Sequence, residues 1–341
     1  MTKKKIVTIG GGTGSFTVLS GIKNYSYEIT SIVSTVDDGG STGRLRDELG
    51  VLPPGDARQC LVALSKDSLA LRKLFNYRFE GGDLKGHTLG NLIISALEKM
   101  NGDFSKGIEE AQKIFDIQGR VIPSGSGEAK LIMEFKNGQK LEGENKIYES
   151  SSIKQNEIKK IYLSSEEKAN SKAIEKIKEA DLVVICPGNI YCSLIPNFLA
   201  QGMPEVLRET SAKVAYVCNL VNKKGQTDGF DLDAYVDLLH KYIGRERINY
   251  VLYNTAKPSE ETLIRYEKEG EELVGFEDKK KERNYKVIKA DILSRSLKNK
   301  QKNDVLAAKR SLIRHDSNKL AIVLDYLARV EDVGNVIEEV V

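Results

Sequence analysis

Residues 35–44 read Thr-Val-Asp-Asp-Gly-Gly-Ser-Thr-Gly-Arg, and few folds accommodate such a run. Ile29, Ile32 and Val33 lead into it with the pattern of a strand. Leu45 and Leu49 leave it with the spacing of a helix. Two adjacent carboxylates at a strand end are costly unless a metal, a ligand hydroxyl or backbone N–H groups hold them, which marks Asp37 and Asp38 as ligand or metal candidates. Gly39, Gly40 and Gly43 allow positive φ and close approach of the backbone to a ligand. Ser41 is placed to cap the helix, whose N-terminus favours an anion, and Arg44 closes the run. The stretch reads as strand, ligand loop and helix.

The chain opens with a second unit of this kind. Lys5 to Ile9 forms a short buried strand pattern and runs into Gly10-Gly11-Gly12-Thr13-Gly14-Ser15. Phe16, Leu19 and Ile22 then recur at helical spacing. Strand, glycine loop and helix open a nucleotide-binding α/β unit, so Gly11, Gly12, Thr13 and Gly14 are expected to cradle phosphate. The spacing departs from G-x-G-x-x-G, and no Tyr-Lys or His-Asp catalytic pair is evident. An NAD-dependent dehydrogenase is therefore the weaker reading.

Further along, Pro53-Pro54-Gly55-Asp56 predicts a rigid turn with Asp56 as N-cap and Arg58 in the first helical turn. Gly86 to Asn91 predicts the start of an amphipathic helix with Leu89, Leu92, Ile93, Ala96, Leu97 and Met100 inward. His87 and Asn91 then share a face as a candidate ligand pair, and His87 is a candidate acid or base. Residues 101–128 predict a helix and a Gly/Ser turn. Lys130–Phe135, Gln139–Leu141, Ile147–Tyr148 and Ile158–Leu163 predict short strands, with Asn137-Gly138 as a hairpin turn. Residues 128–165 are thus an antiparallel β excursion within one α/β domain spanning 1–341. Strands at 181–186, 213–218, 248–253 and 285–290 alternate with helices, which predicts a mostly parallel sheet with helices on both faces. The strands end in Asp37, Asn189, Asn219, Asn254 and Asp291, with Gly188 beside Asn189. Five polar ends on one edge predict a single polar cleft. Residues 276–310 are charged and predict a mobile segment. Asp316 fits the N-cap of a last helix carrying Leu320, Leu324 and Leu327, with Arg314 and Lys319 available for phosphate.

Composition narrows the function class. A net charge of +3 over 341 residues gives no case for nucleic acid. Cys60, Cys186, Cys192 and Cys218 are scattered without metal-ligand spacing, which suits a reducing cytoplasm. The N-terminus lacks the apolar core of a signal peptide, and no run reaches the length of a membrane span. The expected assembly is a homodimer.

Gly10–Gly14, Thr35–Arg44, Pro53–Cys60, His87–Leu92, Pro187–Asn197, Asn219 and Arg314–Ala321 together resemble the CofD-like family over nearly the whole chain. One branch is the phospholactate transferase of deazaflavin cofactor biosynthesis. The other is the gluconeogenesis factor of the YvcK type, which the long acid-glycine run and the Ile-Arg-His-Asp end resemble more closely. The resemblance implies a Rossmann-like fold, a cytoplasmic protein, binding of a UDP-sugar such as UDP-N-acetylglucosamine, and a role in morphogenesis on gluconeogenic carbon sources. It places the ligand-binding Arg on Arg314 and the ligand-binding Tyr on Tyr266. The transferase branch implies a divalent metal, Mg²⁺, on Asp37 or Asp38, and transfer of a phospho-2-hydroxyacyl group from a nucleoside diphosphate-linked donor. Asn189, Cys192 and Gln226 depart from the family pattern, which more often has Ser, Thr and Glu there.

Overall fold

A computed structural model describes residues 3–66, 68–125, 127–278, 282–295 and 313–330. Among the described residues ten strands run in chain order: β1 (Lys4–Ile9), β2 (Tyr27–Val33), β3 (Arg120–Pro123), β4 (Leu131–Phe135), β5 (Lys140–Glu142), β6 (Ile158–Leu163), β7 (Leu182–Ile185), β8 (Lys213–Val217), β9 (Tyr250–Asn254) and β10 (Lys286–Ala290). Seven form one sheet in the order β10-β9-β8-β7-β1-β2-β3, with every pairing parallel. Strands β5-β4-β6 form a small antiparallel sheet. The expected Rossmann-like α/β architecture is therefore the observed one.

Both faces of the large sheet are covered, because its strands are apolar on both sides. Ile6, Leu182, Val184, Ala215 and Val217 pack on one face with helices Gly12–Ile22, Gly55–Leu64 and Ser317–Arg329. Val7, Ile9, Val183, Ile185, Val214 and Tyr216 pack on the other with helices Ser171–Lys178, Met203–Glu209 and Leu232–Ile243. Leu131, Met133 and Phe135 of β4 point inward at period two and join that second core. The small sheet is thereby fixed to the large one.

The chain builds outward from β1 through β2 to β3 and then returns to lay β7 on the other side of β1. Between β1 and β7 the strand order reverses, and their following loops diverge to opposite faces. That crevice, at the carboxyl ends of the strands, is where a doubly wound sheet takes its ligand.

Three expectations need correction. Residues 101–128 contain the edge strand β3 as well as helix Phe104–Ile114. Four residues are too few to display a period, and the terminal Pro123 is tolerated only because the strand lies at the sheet edge. Ile147 and Tyr148 belong to helix Glu144–Glu149, which starts where Gly143 (φ 104°) ends β5 and the Asp38 carboxylate accepts the Asn145 N–H at 2.7 Å. Helix Leu89–Asn101 buries Gly90, Asn91, Ile94, Ser95 and Leu97, while Met100 is 79% exposed. Asn91 is drawn inward by polar partners, and this turns the helix away from its apolar stripe. The strand expected at 285–290 is β10, and of the charged segment 276–310, residues 279–281 and 296–310 lie outside the described residues.

Gly14 lets the first glycine loop meet the loop after β7. A Cβ there would stand 1.7 Å from the Pro187 carbonyl oxygen, a backbone atom that cannot swing aside. Gly275, by contrast, faces open space. Gly14→Ala is expected to lower stability by more than about 2 kcal/mol in urea denaturation, and Gly275→Ala to stay within about 0.5 kcal/mol.

Candidate functional site

A cavity of about 200 Å³ opens in the crevice, lined by Ser34, Asp37, Asp56, Glu144, Tyr148, Cys192 and Ser193. Four separate chain segments build it. Ser34 and Asp37 follow β2. Asp56 comes from the first turn of helix Gly55–Leu64. Cys192 and Ser193 lie in the π-helical turn Ile190–Leu194 after β7. Glu144 and Tyr148 hang over the crevice on helix Glu144–Glu149 of the β excursion.

Three of these residues are acids, and their surroundings disfavour charge. Burial pushes Asp56 up to about 7, and the neighbouring Asp37 carboxylate adds to the shift. Burial pushes Glu144 up to about 8, again with Asp37 contributing. Asp37 is itself raised by burial, although the Gly39 N–H donates to its Oδ1 at 2.9 Å. Burial and the charge of Glu144 hold the Cys192 thiol well above its usual range. The cavity is therefore a compact acidic, partly protonated pocket.

Asp56 is not the N-cap that its sequence context predicts. Its Oδ1 accepts the Gly12 N–H at 2.8 Å, and a Cβ on Gly11 would lie 1.8 Å from its Oδ2. A carboxylate thus already sits where the first glycine loop was expected to hold phosphate. Gly12 (φ 62°) turns its N–H toward that carboxylate, a backbone shape other residues rarely take. Gly40 is the one member of the second glycine group with positive φ, and Gly43 is needed because a Cβ there would meet the Asp38 carbonyl oxygen at 2.0 Å.

Ser41 likewise does not cap its helix; Gly39 holds that position without a side-chain bond. Ser41 Oγ lies 3.1 Å from His87 Nδ1 and accepts from Asn91 Nδ2 at 3.1 Å. Asn91 Oδ1 accepts from Arg58 Nε at 2.9 Å. These four side chains form one buried network that joins three helices. Burial, then the Arg44 charge, lowers the His87 pKa, so its ring is neutral at pH 7. His87 and Asn91 do come together, but on Ser41 and outside the cavity lining. Arg44 donates to the Lys85 carbonyl oxygen at 2.6 Å.

The polar strand ends share one rim, and most of them hold loops. The Asn219 amide pairs with the Gly188 backbone in both directions, at 2.8 and 3.1 Å. Asn189 Oδ1 accepts the Tyr191 and Cys192 N–H groups and its Nδ2 donates to Gln226 Oε1 at 2.9 Å. Asn254 bonds the backbone of Ala256 and Ile292. Asp291 pairs with Lys319 at 2.8 Å. Tyr266 is buried, and its hydroxyl accepts the Ile313 N–H at 3.2 Å. The rim is nonetheless continuous. Gly14 packs on Pro187, Gly188 on Asn219, and the buried His315 ring on the Cys218 backbone, so the segment carrying Arg314 lies along the same edge.

Glu144 and Tyr148 carry no signal that single-sequence reading could use, and Gln226 stands out only as a departure from the family pattern. Gln226 is 1% exposed, and its Nε2 lies 2.9–3.1 Å from the carbonyl oxygens of Ile147, Tyr148 and Ser150. An amide can donate there and an ionised carboxylate cannot, which suits Gln at a position where the family pattern has Glu. Among the described residues no three His, Cys, Asp or Glu side chains are grouped as ligands for a metal ion, and no helix is long and apolar enough to cross a membrane.

The sequence profile of the 2-phospho-L-lactate transferase CofD matches residues 6–293. A Thermotoga maritima protein named "Putative gluconeogenesis factor" is 41% identical over 326 residues, 95% of this chain and 99% of its own. The Bacillus subtilis "Gluconeogenesis factor" is 36% identical over 325 residues, 94% of this chain and 97% of its own. A crystal structure of a UPF0052 family protein from Bacillus halodurans superposes with a TM-score of 0.84 at 32% identity, covering 95% of this chain and 99% of that one. The chain belongs to the CofD family, in its gluconeogenesis-factor branch.

Proposed function

We propose that this protein is a cytoplasmic regulator that binds a UDP-sugar such as UDP-N-acetylglucosamine and acts in growth and morphogenesis on gluconeogenic carbon. The relatives' names support the physiological setting. The observation that carries the reading is the acidic cavity at the reversal of strand order. Carboxylates and carboxylic acids at that depth suit the hydroxyls of a ribose or sugar ring. At about 200 Å³ the cavity is smaller than the roughly 300–1,000 Å³ of a pocket for a whole ligand, so it takes one ring while the rest follows the rim toward Arg314. Among the candidate nucleophiles and bases, burial raises the Cys192 thiol, and His87 lies outside the lining, bonded to Ser41.

A second reading is a metal-dependent transferase of a phospho-2-hydroxyacyl group, supported by the match to the transferase profile and by the clustered acids. Mg²⁺ asks for only one or two carboxylates and retains water, so the donor set fits. Asp37 and Asp56 would hold it from within the cavity, whose lining does not include Asp38. When bound, the ion would neutralise charge on a bridging phosphate.

Two outcomes are expected. UDP-N-acetylglucosamine should give measurable heat in calorimetric titration, and Asp37→Asn should weaken it by about tenfold, the scale of one lost charge-assisted hydrogen bond. Stability should also fall with rising pH. Asp56 and Glu144 have folded pKa values above their unfolded ones, so the native state holds more protons, and the stabilisation present below about pH 4 is lost by about pH 7–8. The melting temperature measured in EDTA should drop between pH 6.5 and pH 8.5, above the range where the lowered pKa of buried His315, about 4, acts in the opposite direction, and Asp56→Asn should flatten that slope. Mg²⁺ should restore the melting temperature at pH 8.5 if the metal-binding reading holds, and leave it unchanged if it does not.

A further inference from the structure

The cavity interior is lined by acids, and a lysine stands beside one of its lining residues. Inside stand Asp37, Asp56 and Glu144, and the Gly12 N–H that could meet a phosphate is bonded to Asp56. At the mouth stands Tyr148, which lines the cavity yet remains 46% exposed. Lys223, from the loop after β8, holds its Nζ 3.2 Å from the centroid of the Tyr148 ring and donates to the Tyr148 carbonyl oxygen. Glu144, Glu149 and Glu271 also act on this ammonium group, and burial opposes its charge. A partly desolvated cation fixed against an aromatic ring is a strong partner for an anion, because little water has to be removed when the anion arrives. The acids inside offer a phosphate no donor cation, whereas the Lys223 ammonium group beside Tyr148 does.

We propose that Lys223 and Tyr148 form a mouth subsite for the phosphate-bearing part of a nucleoside diphosphate ligand, which enters with its hydroxyl-rich ring toward Asp37, Asp56 and Glu144. This rests on the UDP-sugar reading above and adds the ligand's orientation. Lys223 also closes the C-terminal end of helix Glu144–Glu149, so a purely structural role must be separated from a direct one.

The test is calorimetric titration of the full chain with UDP and with uridine, for wild type, Lys223→Gln and Lys223→Arg, each first checked for an unchanged melting curve. A direct role predicts that Lys223→Gln loses about tenfold in affinity for UDP and less than about twofold for uridine, with Lys223→Arg restoring UDP binding. Equal losses for UDP and uridine, or no loss for either, overturn the subsite while leaving the UDP-sugar reading in place. A wild-type protein that binds neither probe nor UDP-N-acetylglucosamine overturns both.

Discussion

Three carboxyl groups share one small space at the reversal of strand order, and the rest of the structure is arranged to keep them there. Like charges at such separation repel, and burial removes the water that would screen them. The chain meets this cost in two ways. It lets Asp56 and Glu144 hold protons at near-neutral pH, and it gives each acid a fixed donor or neighbour, such as Gly12 N–H for Asp56 and Gly39 N–H for Asp37. Groups kept near the point of ionisation respond strongly to an arriving hydroxyl or cation.

The walls are held by amides. Asn219 clamps the turn after β7, Asn189 shapes the π-helical turn that presents Cys192 and Ser193, and Gln226 grips the helix that carries Glu144 and Tyr148. Neutral amides suit this task because they donate and accept at once and add no further charge to an acidic pocket. The roof helix Glu144–Glu149 has six residues, too short to persist alone. It depends on Asp38 at its start and on Gln226 and Lys223 at its end. Asp37 and Asp38 therefore divide the work that their adjacency suggests they share: one faces the cavity and the other holds its roof.

Much of this was legible in the sequence. The doubly wound sheet followed from repeated apolar runs ending in polar turns, and the attention to Asp37, which lines the cavity, followed from an acid pair beside three glycines. Parallel strands place their polar ends on one rim, so the location of the site was also accessible. The use of those ends was not. Asn219, Asn254 and Asp291 look identical in sequence whether they face a ligand or tie down a loop, because the decision rests on contacts with residues far away in the chain. Asp56 was hidden by a good local explanation, since an acid after Pro-Pro-Gly suits a helix start, while its actual partner lies 44 residues earlier. Glu144 and Tyr148 sit in a segment whose apolar pattern is too brief to distinguish helix from strand.

The central claim is that a ligand enters the acidic cavity under the roof helix. Hydrogen–deuterium exchange of the full chain with and without UDP-N-acetylglucosamine tests it most directly. The account predicts added protection in residues 34–42, 54–58, 144–150 and 189–193, the four segments that line the cavity. Protection confined to other segments, with these four exchanging as in the free protein, would contradict it.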